Sequence, residues 1–336
     1  MRSIKSLIIA AAMLFSVAAF AQNEQMVITT GSTKGIYNPL GQDLVNICGL
    51  QGSVRVIESG GSLDNHEKIW ARPPQATAGI FQYDFALYMR ERDQRWQRSM
   101  SVVARLHDEY LQIIALNQTI KQGGWNIPGF GNVGGSSKIL QSFSDLKGQT
   151  VYAWGGSYYS ANVLSDKFNL GLNVVDLSGA APDGKGGYHK VEKGASPEKV
   201  AAMLIAKGEG MAIIAVGGPN LSWVTEANGF GKQWKLLTVS NDNQAKVGGT
   251  YGLGKTNYLN LSGGQVQTLT VPALLMTRTY QSPERVRPIA AVQHCIRDKY
   301  VTLRDEGDPT WTVIDPKQAF NFESNFPMFQ APAAAK

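Results

Sequence analysis

The chain has 336 residues, a formal net charge of +6 and 17% charged residues. Its basic residues are scattered, with no cluster interleaved with aromatics, which argues against nucleic acid as a partner. Thirty-six glycines point to many turns, and a chain this long exceeds what one hydrophobic core usually serves, which favours two lobes.

Arg2 and Lys5 precede an apolar segment, Leu7 to Phe20, that ends Ala19-Phe20-Ala21. This is the pattern of a secretory signal peptide over residues 1–21, cut before Gln22, so a soluble periplasmic protein is expected. The segment is short for a membrane span, and no later apolar run approaches the necessary length. No Cys stands at the cleavage site, which argues against a lipoprotein. Cleavage removes Arg2 and Lys5 and no acid, lowering the charge from +6 to +4. Cys48 and Cys295 are the two cysteines. An oxidising compartment permits a bridge, but sequence does not place their Cα atoms, so the pairing stays open.

The stretch Met26 to Leu50 organises the rest. The apolar run Met26-Val27-Ile28 enters a small-residue loop, and an amphipathic helix follows with Asn38 as N-cap and Pro39 in its first turn. Leu40, Leu44, Ile47 and Cys48 share one face of that helix, and Gly49 stops it. Such a junction presents backbone N–H groups and the positive end of a helix dipole to an anion. It is no phosphate loop: three residues separate Gly31 from Gly35, and Ile36-Tyr37 follow where Lys-Ser/Thr is required. The dinucleotide fingerprint is missing too.

Strand, turn and helix then recur. Ser53 to Glu58 alternates like a strand and runs into Ser59-Gly60-Gly61-Ser62 and a helix through Trp70. Ala78 to Phe81 reads as a short buried strand delivering Gln82, Tyr83 and Asp84, and Ser101 to Ala115 as a helix end and an apolar strand. Gln122 to Ser144 reads as a long loop. Thr150 to Trp154 is a strand, Gly155-Gly156-Ser157 a turn and Tyr158 to Phe168 a helix. Leu172 to Leu177 is a strand, followed by a glycine-rich insertion over Gly179 to Gly194. Ser196 and Pro197 open a helix whose buried face is Val200, Met203 and Leu204. Met211 to Val216 is a wholly apolar strand ending at Gly217-Gly218-Pro219, with another helix expected after it. Such strands between helices indicate a parallel sheet covered on both faces. Lys246 to Gly264 is loop-like, Val266 to Arg278 a long apolar strand, and Ser282-Pro283 the start of a last helix. The aromatics Trp311, Phe320, Phe322, Phe326 and Phe329 of the tail are expected to pack back on a lobe, with Ala331 to Lys336 disordered.

Taken in order, TTGSTKGIYNPLGQDL from Thr29, ESGGSLDN from Glu58, AGIFQYDFALY from Ala78, SDLKGQTVYAWGGS from Ser144, VGGP from Val216 and TLTVPALLMTR from Thr268 span nearly the whole mature chain. This series resembles the TAXI-type solute-binding proteins of tripartite ATP-independent periplasmic (TRAP) transporters, relatives of the type II periplasmic binding proteins. The resemblance implies an α/β fold of two lobes joined by two crossovers, near Gln112 to Leu116 and near Thr270 to Thr277, with the ligand in the cleft. The first lobe would take residues 22–111 and 270–336, tail included, and the second 112–269. It implies a monomer that binds a small organic acid or amino acid and hands it to the membrane permease, with no cofactor. Carried over, the site would use Ser32, Thr33, Tyr37, Ser62 and Gln82 from the first lobe, and Gly156, Ser157, Gly217 and Gly218 from the second. Backbone N–H groups and hydroxyls at helix starts suit a carboxylate, each charge-assisted bond contributing about 1.5–3 kcal/mol.

The chain departs from the family where a Gly-Ser-Gly-Thr turn is usual and Gly156-Ser157-Tyr158-Tyr159-Ser160 stands, flanked by Trp154. Facing the cleft, these rings would narrow it or offer a stacking wall for a flat ligand. Facing the core, they would only remove a hydroxyl. Met211-Ala212 replaces the family's Asp-Ala, a packing change. An enzyme is not expected. His66-Glu67 lacks the second His of a zinc-protease helix, no Gly-x-Ser-x-Gly elbow occurs, and no nucleophile, base and oxyanion donors assemble. Asp64 and Asp84 could meet near the cleft, where paired carboxylates would repel an acidic ligand. Asp84 is read as a structural acceptor and Lys34 as a solvated loop lysine. The alternative function is an exported ligand sensor or envelope interaction protein on the same fold, without transport.

Overall fold

The computed structural model describes residues 25–331, apart from 123–124, 128–130, 134–135, 179–180, 183–187 and 190–195. The expected signal peptide, most of the second glycine-rich insertion and residues 332–336 lie outside the described residues.

The chain begins with β1 (Met26–Thr29), α1 (Tyr37–Asn46), β2 (Val54–Ile57), α2 (Ser62–Trp70) and β3 (Ala78–Gln82). Two helices, α3 (Tyr83–Arg92) and α4 (Gln94–Ser99), lead into β4 (Met100–Leu116). Small strands β5 (Thr119–Gln122) with β8 (Ser136–Ile139), and β6 (Trp125–Ile127) with β7 (Gly131–Val133), form antiparallel pairs where a loop is expected from the glycine content. Then come β9 (Thr150–Ala153), α5 (Gly156–Lys167), β10 (Asn173–Asp176), and the minor strands β11 (Ala181–Pro182) and β12 (Tyr188–His189). α6 (Pro197–Ala206), β13 (Ala212–Gly217), β14 (Trp234–Leu236), α7 (Asn241–Ala245) and β15 (Gly252–Thr256) complete the middle of the chain. Last are β16 (Val266–Arg278), α8 (Pro283–Asp298) and α9 (Tyr300–Glu306).

The strands make a mixed α/β sheet in the order β10-β9-β13-β4-β16-β3-β1-β2, with β14 on β4 and β15 on β16. β1 pairs in parallel with β2 and β3, and β9 with β10 and β13. The expectation of a parallel sheet holds within these two sets only. β4 and β16 run antiparallel to each other and to their neighbours. They are the two strands by which the chain leaves one set and returns to it, so they necessarily run in opposite senses. The outer part of β4 lies against the C-terminal part of β16, while Tyr110 to Ala115 pair with β13. β16 pairs with β15 through Val266 to Thr270 and with β3 through Ala273 to Thr277. Two halves therefore share two long strands.

Burial follows this plan. One cluster, with Phe81, Phe85 and Trp96 from the first half and Val151, Ala161 and Leu164 from the second, is continuous across both. A second packs α1 and α8 on the other face of the first half, through Leu40, Leu44, Ile289 and Val292. A third belongs to the second half, around Ile213, Leu204 and Phe230.

Several sequence expectations change. α1 starts at Tyr37, with Ile36 as N-cap. Asn38 lies inside the helix and donates its amide to Thr30 Oγ1 at 3.1 Å, so tertiary contact outweighs its capping preference. The segment read as a helix end before the apolar strand is strand throughout, from Met100. No helix directly follows Gly217-Gly218-Pro219; a 3₁₀ turn, Glu226–Asn228, comes later. On α6 Leu204 is buried as expected, but Met203 is 48% exposed and Ala201 and Ile205 are buried in its stead. The Lys246 to Gly264 stretch contains β15, paired with β16. As expected, the aromatic tail packs back. Trp311 is fully buried with its Nε1 donating to Asp43 Oδ2 at 2.9 Å, and Phe329 N donates to Val102 O at 2.7 Å. Cys48 and Cys295 are bonded, with Cα atoms 5.8 Å apart, tying the end of α1 to α8.

Candidate functional site between the two halves

The carboxyl ends of β1, β2 and β3 are held together by one side chain. Asn65, on α2 and fully buried, donates to Thr30 O at 2.6 Å and Ile80 O at 2.7 Å. Its Oδ1 accepts from Thr29 Oγ1 and Ser59 Oγ, both at 2.6 Å. A buried amide with all of these bonds made is rigid and specific. It fixes three strand ends as one platform.

On that platform the phenol of Tyr37 donates to Glu109 Oε2 at 2.6 Å, and it also lies in hydrogen-bonding contact with Ser62. Ser62 Oγ accepts from Gln82 N at 3.2 Å. Burial, reinforced by Asp84, pushes the Glu109 carboxyl up to about 8, against the opposing hydrogen bond from Tyr37. Burial likewise raises Asp84, which accepts from Phe85 N at 2.8 Å and from Tyr251 OH at 2.6 Å. Burial holds both phenols well above the ordinary tyrosine value. His107, on β4, is lowered to about 4 by burial and by Arg105.

The second half meets this platform with glycine. A Cβ on Gly156 would lie 1.6 Å from Gln82 Oε1 and 3.3 Å from Ser62 Oγ. One on Gly155, whose φ is +55°, would lie 3.0 Å from Gly60 O. One on Gly218 would lie 2.4 Å from Ile36 Cδ1. Three contacts between strand-end turns of opposite halves thus depend on missing side chains. The Gly217–Gly218 turn is aimed by the shared strand: Gln112 Nε2 donates to Gly218 O at 2.7 Å, and Gln112 Oε1 accepts from Tyr258 OH.

Of the residues singled out from sequence, Tyr37, Ser62, Gln82 and Gly156 come together around one point. Gly218 stands across from Ile36 of the opening loop, whereas Gly217 faces Leu221 of its own half. Ser157 is buried beside them, but its hydroxyl accepts from Val216 N at 2.9 Å within its own half. Ser32 and Thr33 are exposed, and Thr33 N donates to Glu58 Oε1 at 3.0 Å, so an acid of the chain already occupies that N–H. Lys34 is exposed as expected. Trp154 packs at a tilt on Trp223, centroids 5.4 Å apart and planes 53° apart, against the core of the second half. Tyr158 and Tyr159 both pack on the shared core, and Tyr159 reaches α3 of the first half, with centroids 4.9 Å from Phe85 and 5.1 Å from Tyr88. Met211 is partly buried in that core and Ala212 fully, which fits a packing change.

Sequence reasoning missed Glu109, Tyr251 and Asn65. Glu109 sits in an otherwise apolar strand, and a charged residue at a strand position expected to be buried was the available signal. Asp64 bonds Lys68 and Gly60 N, separately from Asp84. Among the described residues, no group of three or more His, Cys, Asp or Glu is placed to hold a metal, and no helix is long and apolar enough to cross a membrane. A cavity of about 220 Å³, lined by Met26, Pro73, Pro74 and Thr77 among others, lies at the amino ends of β1 and β3, away from these turns.

No family model matches the chain, and no curated protein matches it. Solved structures do resemble it distantly. A Xanthomonas citri protein bound to ATP is 14% identical, covers 92% of each chain and has a TM-score of 0.44. An ancestral arginine-binding protein bound to arginine is 13% identical, over 84% of this chain and 97% of that one, with a TM-score of 0.43. An arginine transport system periplasmic binding protein from Legionella pneumophila is 12% identical, over 86% and 96%, with a TM-score of 0.41. At that level of likeness, neither ligand nor partner is carried across to this chain.

Proposed function

We propose that the chain is an exported solute-binding protein of the TAXI type. Its lobes, residues 22–111 with 270–336 and residues 112–269, close on a small organic acid or amino acid and present it to a TRAP-type permease. The observation that carries the reading is the facing of the strand-end turns: Gly155, Gly156 and Gly218 of one half lie against Gly60, Gln82 and Ile36 of the other. Two shared strands connect the halves, so opening and closing is a motion about β4 and β16. A solute bound more tightly by the closed form shifts that equilibrium toward it. A carboxylate of the solute would lie at the start of α5, where first-turn N–H groups have no partner within the helix. The signal-peptide pattern supports export, and the order of motifs supports the family.

Thermal melting of solute-free protein with small acids, amino acids and amines tests this. A solute at a hundred times its Kd adds about 2.7 kcal/mol, a shift of roughly 2–4 °C per kcal/mol if the melt behaves as a domain of 150–250 residues. Solute should also lower the radius of gyration in solution scattering. A protein whose melt no compound raises is not a solute binder.

A further inference from the structure

Between the halves the chain buries two acids without a cation. Glu109 is 5% exposed and Asp84 2%. They are near enough that the charge on Asp84 raises Glu109. Their side-chain donors are neutral hydroxyls, Tyr37 for Glu109 and Ser160 and Tyr251 for Asp84. Tyr37 reaches Oε2 alone, and among the described residues no donor reaches Glu109 Oε1. No described Lys or Arg bonds either acid. Arg105, which acts on His107, is paired with Asp108 at 2.6 Å, and Asp308 also acts on His107.

Two unpartnered polar groups adjoin this pair. Gln82 is 4% exposed and its Nε2 has no hydrogen-bond partner. Its Oε1 lies at the start of α5, and its backbone N–H bonds the Ser62 hydroxyl that adjoins Tyr37. His107 is buried with both ring nitrogens unpartnered, its ring 6.0 Å from that of Tyr37. Buried donors are rarely left unmade without a reason. Buried carboxyls with no counter-charge must either stay protonated or receive a cation.

We infer that the solute taken into this cleft carries a protonated amine or guanidine, which meets Glu109 and Asp84 as the halves close. This rests on the solute-binding reading above and narrows its solute. Closure around a cation keeps both acids ionised, and Glu109 Oε1 is the free acceptor. Closure without a cation leaves them protonated on Tyr37 and Tyr251. Gln82 Nε2 then donates to an acceptor atom elsewhere on the same solute. A dicarboxylate without an amine would add negative charge beside two acids, and is excluded.

Isothermal calorimetry on solute-free mature protein tests this with putrescine, agmatine, 4-aminobutyrate and succinate. At least one of the three amines is expected to bind, about tenfold or more weaker in Glu109→Gln, and succinate to give no heat. Amine affinity should rise from pH 6 to pH 9 as Glu109 gives up its proton, a trend that a purely structural role would not produce and Glu109→Gln should lose. Glu109→Gln keeps an acceptor for Tyr37. If it does not melt cooperatively, Asp84→Asn supplies the same comparison. Succinate binding as tightly as the amines, or amine binding unchanged in the variant, overturns the inference and leaves the solute-binding reading standing. If no probe of either charge binds, the two fall together.

Discussion

The two halves meet at one surface but are built in opposite ways. The first is tied down. Asn65 stitches its strand ends, Cys48–Cys295 joins α1 to α8, the tail docks through Trp311 and Phe329, and the buried acid Glu109 sits on the shared strand beside Tyr37. The second brings hydroxyls and no charge to the contact, Tyr251 and Ser160 bonding Asp84. It supplies Gly155, Gly156 and Gly218, with Tyr159 reaching across to Phe85 and Tyr88. On the proposed closure, the buried acids belong to the half that is fixed, and the glycines to the half that approaches it. Groups meant to recognise a solute gain from being held still, whereas a surface that closes gains from having nothing in the way.

The largest test of that difference removes the bond that fixes the first half. Cys48→Ala with Cys295→Ala opens a link spanning 247 residues and should cost about 2–5 kcal/mol of stability, read by denaturant unfolding. Solute affinity of the folded remainder should stay within a few-fold. A small loss would mean that the docked tail, rather than the disulfide, does the fixing. Next is Gly155→Val, which places a branched side chain at a φ of +55° and against Gly60 O. Backbone strain of about 1–3 kcal/mol is expected. Closure should be blocked as well, so that solute binding weakens at least tenfold, about 1.4 kcal/mol, and scattering reports a wider molecule.

Tyr251→Phe is smaller in effect. It deprives buried Asp84 of a donor, at about 1–3 kcal/mol, and should lower the melting temperature. The smallest test is pH. The folded value of Glu109 is raised to about 8, so its contribution is present below the ordinary carboxylate range and is lost as pH rises through about 8. Asp84 is shifted in the same direction. His107, lowered to about 4, acts oppositely, its contribution present above its ordinary value of 6.5 and lost as pH falls through about 4. Stability should therefore decline between about pH 4.5 and 8 more steeply in the native chain than in Glu109→Gln, as followed by chemical unfolding across that range. Equal slopes would mean that Glu109 is not buried as described.

Sequence carries the parts of this architecture that local chemistry determines. Val266 to Arg278 is legible as one strand because thirteen residues of strand-forming, mostly apolar side chains leave no helical period. α8 is legible from Ser282 and Pro283. Where a partner distant in the chain decides, reading fails. Asn38 looks like a cap until Thr30 claims its amide. Tyr158 and Tyr159 permit a cleft or a core orientation, and only the approach of Phe85 and Tyr88 to Tyr159 selects packing between the halves. Glu109 lies in a strand read only for its apolar residues, since Tyr37 is 72 residues away. The pairing of Cys48 with Cys295 is not legible for the same reason: the two are distant in the chain and only the fold brings their Cα atoms to bonding range.

The two shared strands have a mechanical consequence. Because β4 and β16 are hydrogen-bonded to one another from Met100 to Tyr110 and from Thr270 to Arg278, the joint between the halves is a ribbon rather than a pair of loose strings. A ribbon twists and flexes without parting. Its weakest points are the register shifts between Pro272 and Leu274 and between Leu275 and Met276, where the ladder is already broken and Pro272 has no N–H to contribute. Motion should concentrate there, with small amplitude and a strong elastic return. Backbone amides from Ile113 to Ala115 should exchange slowly with or without solute, while those beside Pro272 report each opening.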